Sequence, residues 1–272
     1  MTVNPSSTAQ LVAALRAGGG PESPLPCRDP WALALAGPHG CELAQQLLSI
    51  TPHIGLWVGL RTIYFDEAVE RSSREIPQVV LLGAGLDTRA ARLATRGRRF
   101  FEVDTPASQA LKLERLRRLE GYPVEAARYA SCDFESEDFV SAMVATGFDP
   151  SVPALVVWEG VSYYLREAAV RATLERAATS LHPASRILFD FVGQKLIRGR
   201  ASTSDQDTLE LVRALGEPML WGTNDVLPLL YATGFRRVRV DSFDELALRY
   251  TGSYDRARRF RFQHVAKASV LA

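Results

Sequence analysis

A short apolar run that breaks into two closely spaced glycines constrains this sequence more than any other feature. The run at 79–82 is followed by Gly83, Ala84 and Gly85, and a polar segment starts at Asp87. This order is typical of a strand, a tight turn and the start of a helix. Glycine has no Cβ, so its backbone can take positive φ and a ligand can approach closely. The pattern therefore predicts a ligand-binding turn, with Asp87 or Thr88 capping the next helix.

The turn favours a nucleoside-containing ligand without a pyrophosphate. A dinucleotide fingerprint needs a third glycine for close helix packing, and Thr88 occupies that position here. The next predicted strand ends at Asp104, about twenty residues after the glycines, where a carboxylate meets ribose hydroxyls. Turn and acid together favour S-adenosylmethionine, with Gly83, Ala84, Gly85 and Asp104 as contacts. The alternative is that the glycines only turn the chain and Asp104 only caps the next helix.

Length and charge narrow the class of protein and of partner. With 272 residues, of which 47% are hydrophobic, the chain can bury one substantial core. A net charge of +1 gives no field to attract nucleic acid or an anionic membrane, so we expect a small-molecule partner. Three cysteines without CxxC spacing favour neither a disulfide framework nor a metal site. No apolar run resembles a signal peptide or a membrane span, so we expect a cytoplasmic protein.

Hydrophobic periodicity predicts strands and helices that alternate along the chain. The predicted strands are 79–82, 98–104, 127–131, 154–158, 186–192, 236–241 and 264–270, and they complete a seven-stranded sheet with one antiparallel member. Helices are predicted at 6–17, from 29 onward, and at 56–73, 89–95, 106–121, 137–146, 165–181, 207–215 and 224–233. Asn224 is expected to cap the last helix. The basic residues of helix 106–121, Lys112 and Arg115 among them, are expected to form a solvated outer face.

An acid follows the most continuous apolar strand. Glu159 comes directly after 154–158, at the carboxyl end where open α/β sheets bind their ligands. We expect Glu159 to face the cationic amino group or sulfonium of the cofactor and to remain ionised. Tyr163 and Tyr164 follow closely, and Trp221 lies in a polar segment at 193–222. These three aromatic residues are candidates for the acceptor pocket, with core packing as the alternative for each.

Four motifs follow one another along the chain, and their order is more informative than any one of them. They are GAGLDTR from Gly83, FEVDTP from Phe101, CDF from Cys132 and WEGVSYYL from Trp158. Together they resemble the leucine carboxyl methyltransferase-like family of S-adenosylmethionine-dependent methyltransferases, over about 29–235. The motif EGVSYYL is most similar to that of the bacterial members that methylate polyketides and other natural products. The resemblance implies a class I methyltransferase, Rossmann-like α/β fold. Such a fold has a seven-stranded, mostly parallel sheet with helices on both faces, here with an N-terminal helical lid.

The resemblance also implies roles for particular residues and segments. In the family, the arginine that matches Arg61 pairs with the cofactor's methionine carboxylate, whereas a solvated face charge is the alternative. Asp133 and Phe134 match residues that lie against the adenine, and a helix cap beside a core phenylalanine is the other interpretation. We expect residues 1–75 to form the lid that carries Arg61, and 76–272 to form the cofactor-binding domain. The insertion at 193–222 is where such enzymes build the acceptor pocket.

The expected reaction is O-methylation of a carboxylate or acidic hydroxyl on a small molecule, such as a polyketide-like natural product. An acceptor that is already ionised needs no general base, and the sequence supplies no unmistakable one. His39 and His53 lie in the expected lid, but a lone histidine is more often a packed or surface residue. Protein carboxyl methylation, nicotinamide-dependent oxidoreduction and non-catalytic cofactor binding are the alternative functions.

Overall fold

A computed structural model describes residues 7–18, 29–199, 203–253 and 262–271. Seven strands form one sheet in the order β3-β2-β1-β4-β5-β7-β6. They are β1 Gln78–Leu82, β2 Arg99–Asp104, β3 Ala127–Ser131, β4 Ala154–Trp158, β5 Arg186–Val192, β6 Arg237–Ser242 and β7 Gln263–Ser269. Strand β7 is antiparallel to both β5 and β6, and the remaining pairs are parallel. The predicted seven-stranded sheet with one antiparallel member is confirmed.

The sheet separates two apolar cores because its central strands are covered on both faces. Every residue of β1 and β4 is buried. Successive side chains of a strand point to opposite faces, so Val79 and Leu81 pack into one core while Val80 and Leu82 pack into the other. This double coverage explains why both strands read as continuous apolar runs in the sequence.

The helices follow the predicted order, with shorter bounds in most cases. They are α1 Ser7–Gly18, α2 Ala32–Ile50, α3 Ile54–Arg71, α4 Arg89–Arg92, α5 Pro106–Leu116, α6 Phe139–Val144, α7 Glu167–Ser180, α8 Gln194–Ile197, α9 Thr203–Ala214, α10 Leu227–Ala232 and α11 Phe243–Thr251. Cys27 and the glycine- and proline-rich connection at 19–28 lie outside the described residues. Within the described ranges, none of the helices combines the length and apolar character needed to cross a bilayer.

Helix α1 packs closely on α2. A Cβ built on Gly40 of α2 would lie 2.6 Å from the carbonyl oxygen of Gln10, so only glycine permits this approach. Arg16 anchors the C-terminal end of α1. Its Nε donates to Asp29 Oδ2 at 2.7 Å, and its Nη2 donates to the Leu86 carbonyl at 2.7 Å. Helix α1 is thereby held over the segment that follows the glycine turn.

Three local predictions are wrong. Asn224 does not cap α10; its Oδ1 accepts the N–H of Gln194, while Asp225 Oδ1 accepts the N–H of Leu227 at the start of α10. Lys112 and Arg115 do not belong to a solvated face, whereas Arg117 and Arg118 are exposed as expected. Lys112 is 2% exposed, and Arg115 donates to the Leu35 carbonyl. The side chains of Lys112 and Arg115 therefore point toward the interior, where they meet acceptors on other elements. The hydrophobic periodicity of their own helix does not predict these acceptors.

Candidate cofactor and acceptor site

A cavity of about 320 Å³ opens at the carboxyl edge of the parallel strands. The glycine turn after β1, Asp104 at the end of β2 and Glu159 after β4 all line it. Thr8, Ala9, Val12 and Arg16 of α1 form the opposite wall. The fold thus brings together the turn and the two acids that the sequence singled out, and α1 covers them. We call this space the cofactor cavity.

The glycine turn requires glycine for two separate reasons. Gly83 and Gly85 both have positive φ, at 64° and 45°. A Cβ on Gly83 would also lie 2.3 Å from Val161 Cγ2, which no side chain tolerates without displacement. The backbone N–H of Gly83 donates to the Val103 carbonyl at 2.8 Å, so the turn is fixed to β2. The backbone of the turn therefore faces the cavity bare of side-chain atoms at these two positions.

Asp104 connects the turn to the cavity. Its Oδ2 accepts the N–H of Gly85 at 2.6 Å, and its Oδ1 accepts the N–H of Thr105 at 2.7 Å. Burial raises the pKa of the Asp104 carboxyl, although the hydrogen bonds from Gly85 and Thr105 oppose that rise. Each carboxylate oxygen has a second lone pair, so the group can also accept from hydroxyls in the cavity. The cap of the next helix is Thr105 and not Asp104, because the Thr105 side chain accepts the N–H of Ser108 at the start of α5.

Arg61 is a buried residue of the cavity wall rather than a solvated charge. It is 3% exposed, and its Nε donates to Glu159 Oε1 at 2.9 Å. Its Nη1 donates to Asp190 Oδ2 at 2.6 Å and to the Tyr163 hydroxyl at 3.2 Å. Among the described residues, nothing accepts from Nη2, and Arg61 lines the cavity. One nitrogen of the guanidinium is thus available to a ligand while the others are held.

Glu159 faces two arginines. Besides Arg61, the Nη1 of Arg89 lies 2.5 Å from Glu159 Oε2, in an ion pair whose angles are not those of a hydrogen bond. Arg89 also pairs with Asp66 and Asp87, at 2.6 and 2.5 Å. These arginines keep Glu159 in place at the rim of the cavity, where its side chain is 12% exposed.

Carboxylates outnumber cations around the cofactor cavity. The cations of this network are Arg16, Arg61, Arg89, Arg92 and Lys112, and its carboxylates are Asp29, Asp66, Asp87, Asp104, Glu159 and Asp190. A surplus of negative charge at a partly dry site favours a ligand that carries positive charge. This balance suits a sulfonium with an ammonium group better than it suits a polyphosphate.

The other predicted contacts divide between wall, surface and core. Phe134 is 9% exposed and lines the cavity, whereas the neighbouring Asp133 is exposed and is not among the lining residues. The Asp133 carboxylate accepts from the N–H of Glu135 at 3.0 Å and from the Ser136 hydroxyl at 2.9 Å. Asp133 therefore stabilises the turn after β3. It does not cap the following helix, because Asp138 is the N-cap of α6 and accepts the N–H of Val140.

A second cavity, of about 60 Å³, adjoins the cofactor cavity and shares Arg61, Tyr163 and Tyr164 with it. Its remaining wall is largely apolar and includes Leu11, Leu15, Leu47, Trp57, Val58, Leu196, Val212 and Met219. The two tyrosine rings meet edge to face, with centroids 4.7 Å apart. Helices α1, α3, α8 and α9 therefore enclose a dry space beside the cofactor cavity. We call it the apolar cavity.

Trp221 belongs to neither cavity. It is 5% exposed and packs in the core against Phe191, at a ring distance of 6.4 Å. Its backbone N–H donates to the Tyr163 carbonyl at 3.2 Å, so Trp221 acts on the site through the fold. His39 and His53 also lie outside the lining of both cavities, so neither histidine is placed to act on a molecule held there.

Two residues of the site were not predicted from the sequence. Asp190 is fully buried on β5, where its Oδ1 accepts the N–H of Gly160 at 2.7 Å in addition to its bond with Arg61. Burial raises the pKa of Asp190, although Arg61 opposes the rise. Glu217 lines the cofactor cavity after α9, and burial raises its pKa as well. An acid inside the apolar run RILFDFV was the available signal for Asp190; none distinguished Glu217.

Comparison with known proteins identifies relatives of this sequence. A family model described as leucine carboxyl methyltransferase matches residues 9–205. A "Putative S-adenosyl-L-methionine-dependent methyltransferase" of Streptomyces coelicolor is 38% identical over 130 residues, 47% of this chain and 46% of that protein. One of the same description from Mycobacteroides abscessus is 34% identical over 189 residues, 66% of this chain and 61% of that protein. The chain thus spans about half to two thirds of these relatives.

A solved structure resembles the whole fold. The "putative methyltransferase" from Thermobifida fusca superposes with a TM-score of 0.68 at 15% identity, and the match covers 97% of this chain and 94% of that one. The architecture is therefore that of a class I methyltransferase. Because the family model matches well over half of the sequence, the chain belongs to the leucine carboxyl methyltransferase family.

Proposed function

We propose that this protein is an S-adenosylmethionine-dependent methyltransferase that methylates a carboxylate or acidic hydroxyl of a small, polyketide-like molecule. The observation that carries the proposal is the cofactor cavity itself. It joins the bare glycine turn, the Asp104 carboxylate and a surplus of negative charge at the carboxyl edge of the sheet. Membership in the leucine carboxyl methyltransferase family and the descriptions of the bacterial relatives support the same activity.

The residues of the cavity suit S-adenosylmethionine. The two glycines leave room for close approach of a nucleoside, and Asp104 retains lone pairs for ribose hydroxyls. Phe134 offers an apolar wall to the adenine. The free Nη2 of Arg61 is placed to donate to a carboxylate. The network around Glu159 favours bound positive charge. The lack of a third glycine at Thr88 disfavours the dinucleotide required by a nicotinamide-dependent enzyme.

Orientation and exclusion of water are the main tasks of the chain in this reaction. S-adenosylmethionine supplies an electrophilic methyl group on a sulfonium. Direct displacement requires an oxygen nucleophile held in line with that methyl group. Helix α1 covers both cavities and limits the entry of water. We propose accordingly that residues 1–75 act as a lid, and that 76–272 form the cofactor-binding domain with its acceptor insertion at 193–222.

The lining of the apolar cavity supports a hydrophobic acceptor. Its walls are largely aliphatic and aromatic side chains, so at about 60 Å³ it favours a small, uncharged, hydrophobic group of the acceptor. Arg61, Tyr163 and Tyr164 lie where the two cavities meet, and the guanidinium there favours an acceptor oxygen that is already ionised. Such an oxygen needs no general base.

Calorimetry and a methyl-transfer assay test the proposal in sequence. We expect S-adenosylmethionine and S-adenosylhomocysteine to bind, and NAD to show no saturable heat. Transfer of labelled methyl groups is then measured with aromatic carboxylic acids, acidic phenols and a peptide that ends in leucine. Turnover of the small acids supports the proposal. Turnover of the peptide alone assigns protein carboxyl methylation instead, and binding of NAD in place of S-adenosylmethionine overturns the proposed class of enzyme.

A further inference from the structure

A basic cavity lies at the opposite edge of the sheet from the cofactor cavity. It measures about 140 Å³ and is lined by Leu155 near the start of β4, Arg186 at the start of β5 and Lys267 on β7. The distance from Leu155 to Glu159 along β4 is on the order of 13 Å, at about 3.3 Å per residue. Arg71, Arg239 and Arg249 complete its cationic wall. This basic cavity takes no part in the proposed methyl transfer.

Each arginine of the basic cavity has a carboxylate partner, but the partners are too few. Arg71 pairs with Glu67 at 2.6 Å, and Arg186 pairs with Glu75 at 2.7 Å. Arg239 and Arg249 share one carboxylate, Asp241, at 2.8 and 2.9 Å. The shared Asp241 also accepts the hydroxyl of Tyr64 at 2.9 Å. One of the two arginine charges on Asp241 is therefore not neutralised.

Lys267 adds a second charge that is not neutralised. Within the described ranges, no carboxylate lies at ion-pair distance from its ammonium group. Lys267 is half-buried and lies directly opposite Arg239 in the antiparallel pairing of β6 and β7, an arrangement of like charges that destabilises a sheet. Burial, followed by the charges of Arg186, Arg239 and Arg71, lowers the pKa of Lys267.

A dianion would neutralise the surplus of the basic cavity. Its five cations form ion pairs with three carboxylates, Glu67, Glu75 and Asp241, so the cations exceed their paired carboxylates by two. Glu245 also acts on Arg239 but forms no ion pair with it among the described residues. The volume equals that of roughly five water molecules at about 30 Å³ each, enough for a tetrahedral oxyanion. Guanidinium and ammonium groups are the usual protein ligands of phosphate. We propose that the basic cavity binds a phosphate dianion, either as inorganic phosphate or as the terminal group of a larger molecule.

Calorimetric titration of the whole protein with inorganic phosphate tests this site, at pH 8 and at constant ionic strength set with potassium chloride. Lys267→Met is expected to weaken the phosphate dissociation constant about tenfold or more, because it removes the unpaired charge. Lys267→Arg is expected to retain most of the affinity. Lys195→Met is the matched control, since Lys195 is an exposed lysine on α8, and it is expected to bind phosphate as the unmodified protein does.

Phenyl phosphate distinguishes the two sources of the anion. Tighter binding of phenyl phosphate than of inorganic phosphate supports the terminal group of a larger molecule, and the reverse order supports the free ion. The proposal is overturned if the unmodified protein shows no saturable phosphate binding. It is also overturned if Lys267→Met binds as tightly as the unmodified protein, which would place the anion elsewhere, for example at the glycine turn. Should Lys267→Met fail to fold, Arg186→Gln at the mouth of the cavity takes its place.

Discussion

One carboxylate, that of Asp104, both fixes the glycine turn and faces the cofactor cavity. Its two oxygens accept the N–H groups of Gly85 and Thr105, and their second lone pairs remain open to ribose hydroxyls. Charged hydrogen bonds contribute about 1.5 to 3 kcal/mol each. We therefore expect Asp104→Ala to weaken S-adenosylmethionine binding at least tenfold, as measured by calorimetry.

The control for Asp104 is a carboxylate that shares its chemistry but not its place. Glu114 on α5 has a side chain that is 55% exposed and pairs with the exposed Arg118. Glu114→Ala should leave the dissociation constant within twofold. An unchanged constant in a well-folded Asp104→Ala variant would assign Asp104 to the turn alone, and the ribose contact would have to be sought elsewhere.

Side chains that follow a strand could be predicted, and side chains that meet across the fold could not. Asp104 and Glu159 both come directly at the carboxyl end of an apolar run, so their common edge follows from the rule for parallel strands. The bond between Arg61 and Asp190 joins residues 129 positions apart. No local pattern encodes such a pair, and the same holds for Arg89 with Glu159. The cavity was therefore predictable, but the ion pairs that support it were not.

Helix α1 illustrates how one element completes two cavities. Its residues line both the cofactor cavity and the apolar cavity, and its approach to α2 depends on Gly40. A methyl group at position 40 would meet the Gln10 carbonyl at 2.6 Å, and backbone cannot yield as a flexible side chain does. We expect Gly40→Ala to displace α1, at a cost of about 1 to 3 kcal/mol in stability, and to weaken S-adenosylmethionine binding.

Hydrogen exchange and calorimetry check this prediction for α1. Faster exchange should be confined to α1 and the facing turns of α2, while the strands of the sheet keep their protection. Gly18→Ala is the matched control, because the added Cβ has no atom within 4 Å in the described part of the chain outside its own helix turn. If Gly40→Ala and Gly18→Ala bind the cofactor equally well, α1 is not needed to complete the cavity.

Elements with strong local signals were predicted more reliably than elements set by tertiary contacts. Strands β4 and β5 are distinct β-type runs and have the predicted bounds, and β3 also has the predicted bounds although its sequence is only weakly β-type. Helix α11 was not predicted, although Ser242 and Glu245 form a capping box at its start and Gly252 ends it in the left-handed conformation. That motif was legible in the sequence. The burial of the Lys112 side chain could not be predicted from the sequence, because its partner Glu102 belongs to another element.

In the molecule as a whole, helices cover both faces of the sheet, and charged side chains are buried near the edge that carries the cofactor cavity. Glu102 on β2 and Lys112 on α5 are both almost fully buried, with Lys112 Nζ 2.5 Å from Glu102 Oε2 and 2.5 Å from the Asp87 carbonyl. Such pairs are costly to bury and seldom stabilise more than a well-packed apolar replacement. Their consequence for the whole molecule is a dependence of stability on pH.

Burial raises the pKa of Glu102 from its ordinary value of 4.5 to about 7, although Lys112 opposes the rise. The folded state therefore holds this proton more tightly than the unfolded state does. Its contribution to stability is fully present below pH 4.5 and is lost as the pH rises through 7. The loss is on the order of 3 kcal/mol. We expect urea unfolding between pH 5 and 8 to show this decline.

The double variant Glu102→Gln/Lys112→Met separates this effect from all other titrations, since it removes both members of the pair and keeps their approximate shape. The histidines and the carboxylates remote from the pair titrate alike in both proteins, so they cancel in the difference between the two free energies of unfolding. Asp87 and Asp104 do not cancel in this way, because the charge of Lys112 lowers the pKa of both carboxyls in the unmodified protein. That difference should shift in favour of the variant as the pH rises from 5 to 8. If the two curves stay parallel, Glu102 is ionised throughout this range and Lys112 fully offsets its burial.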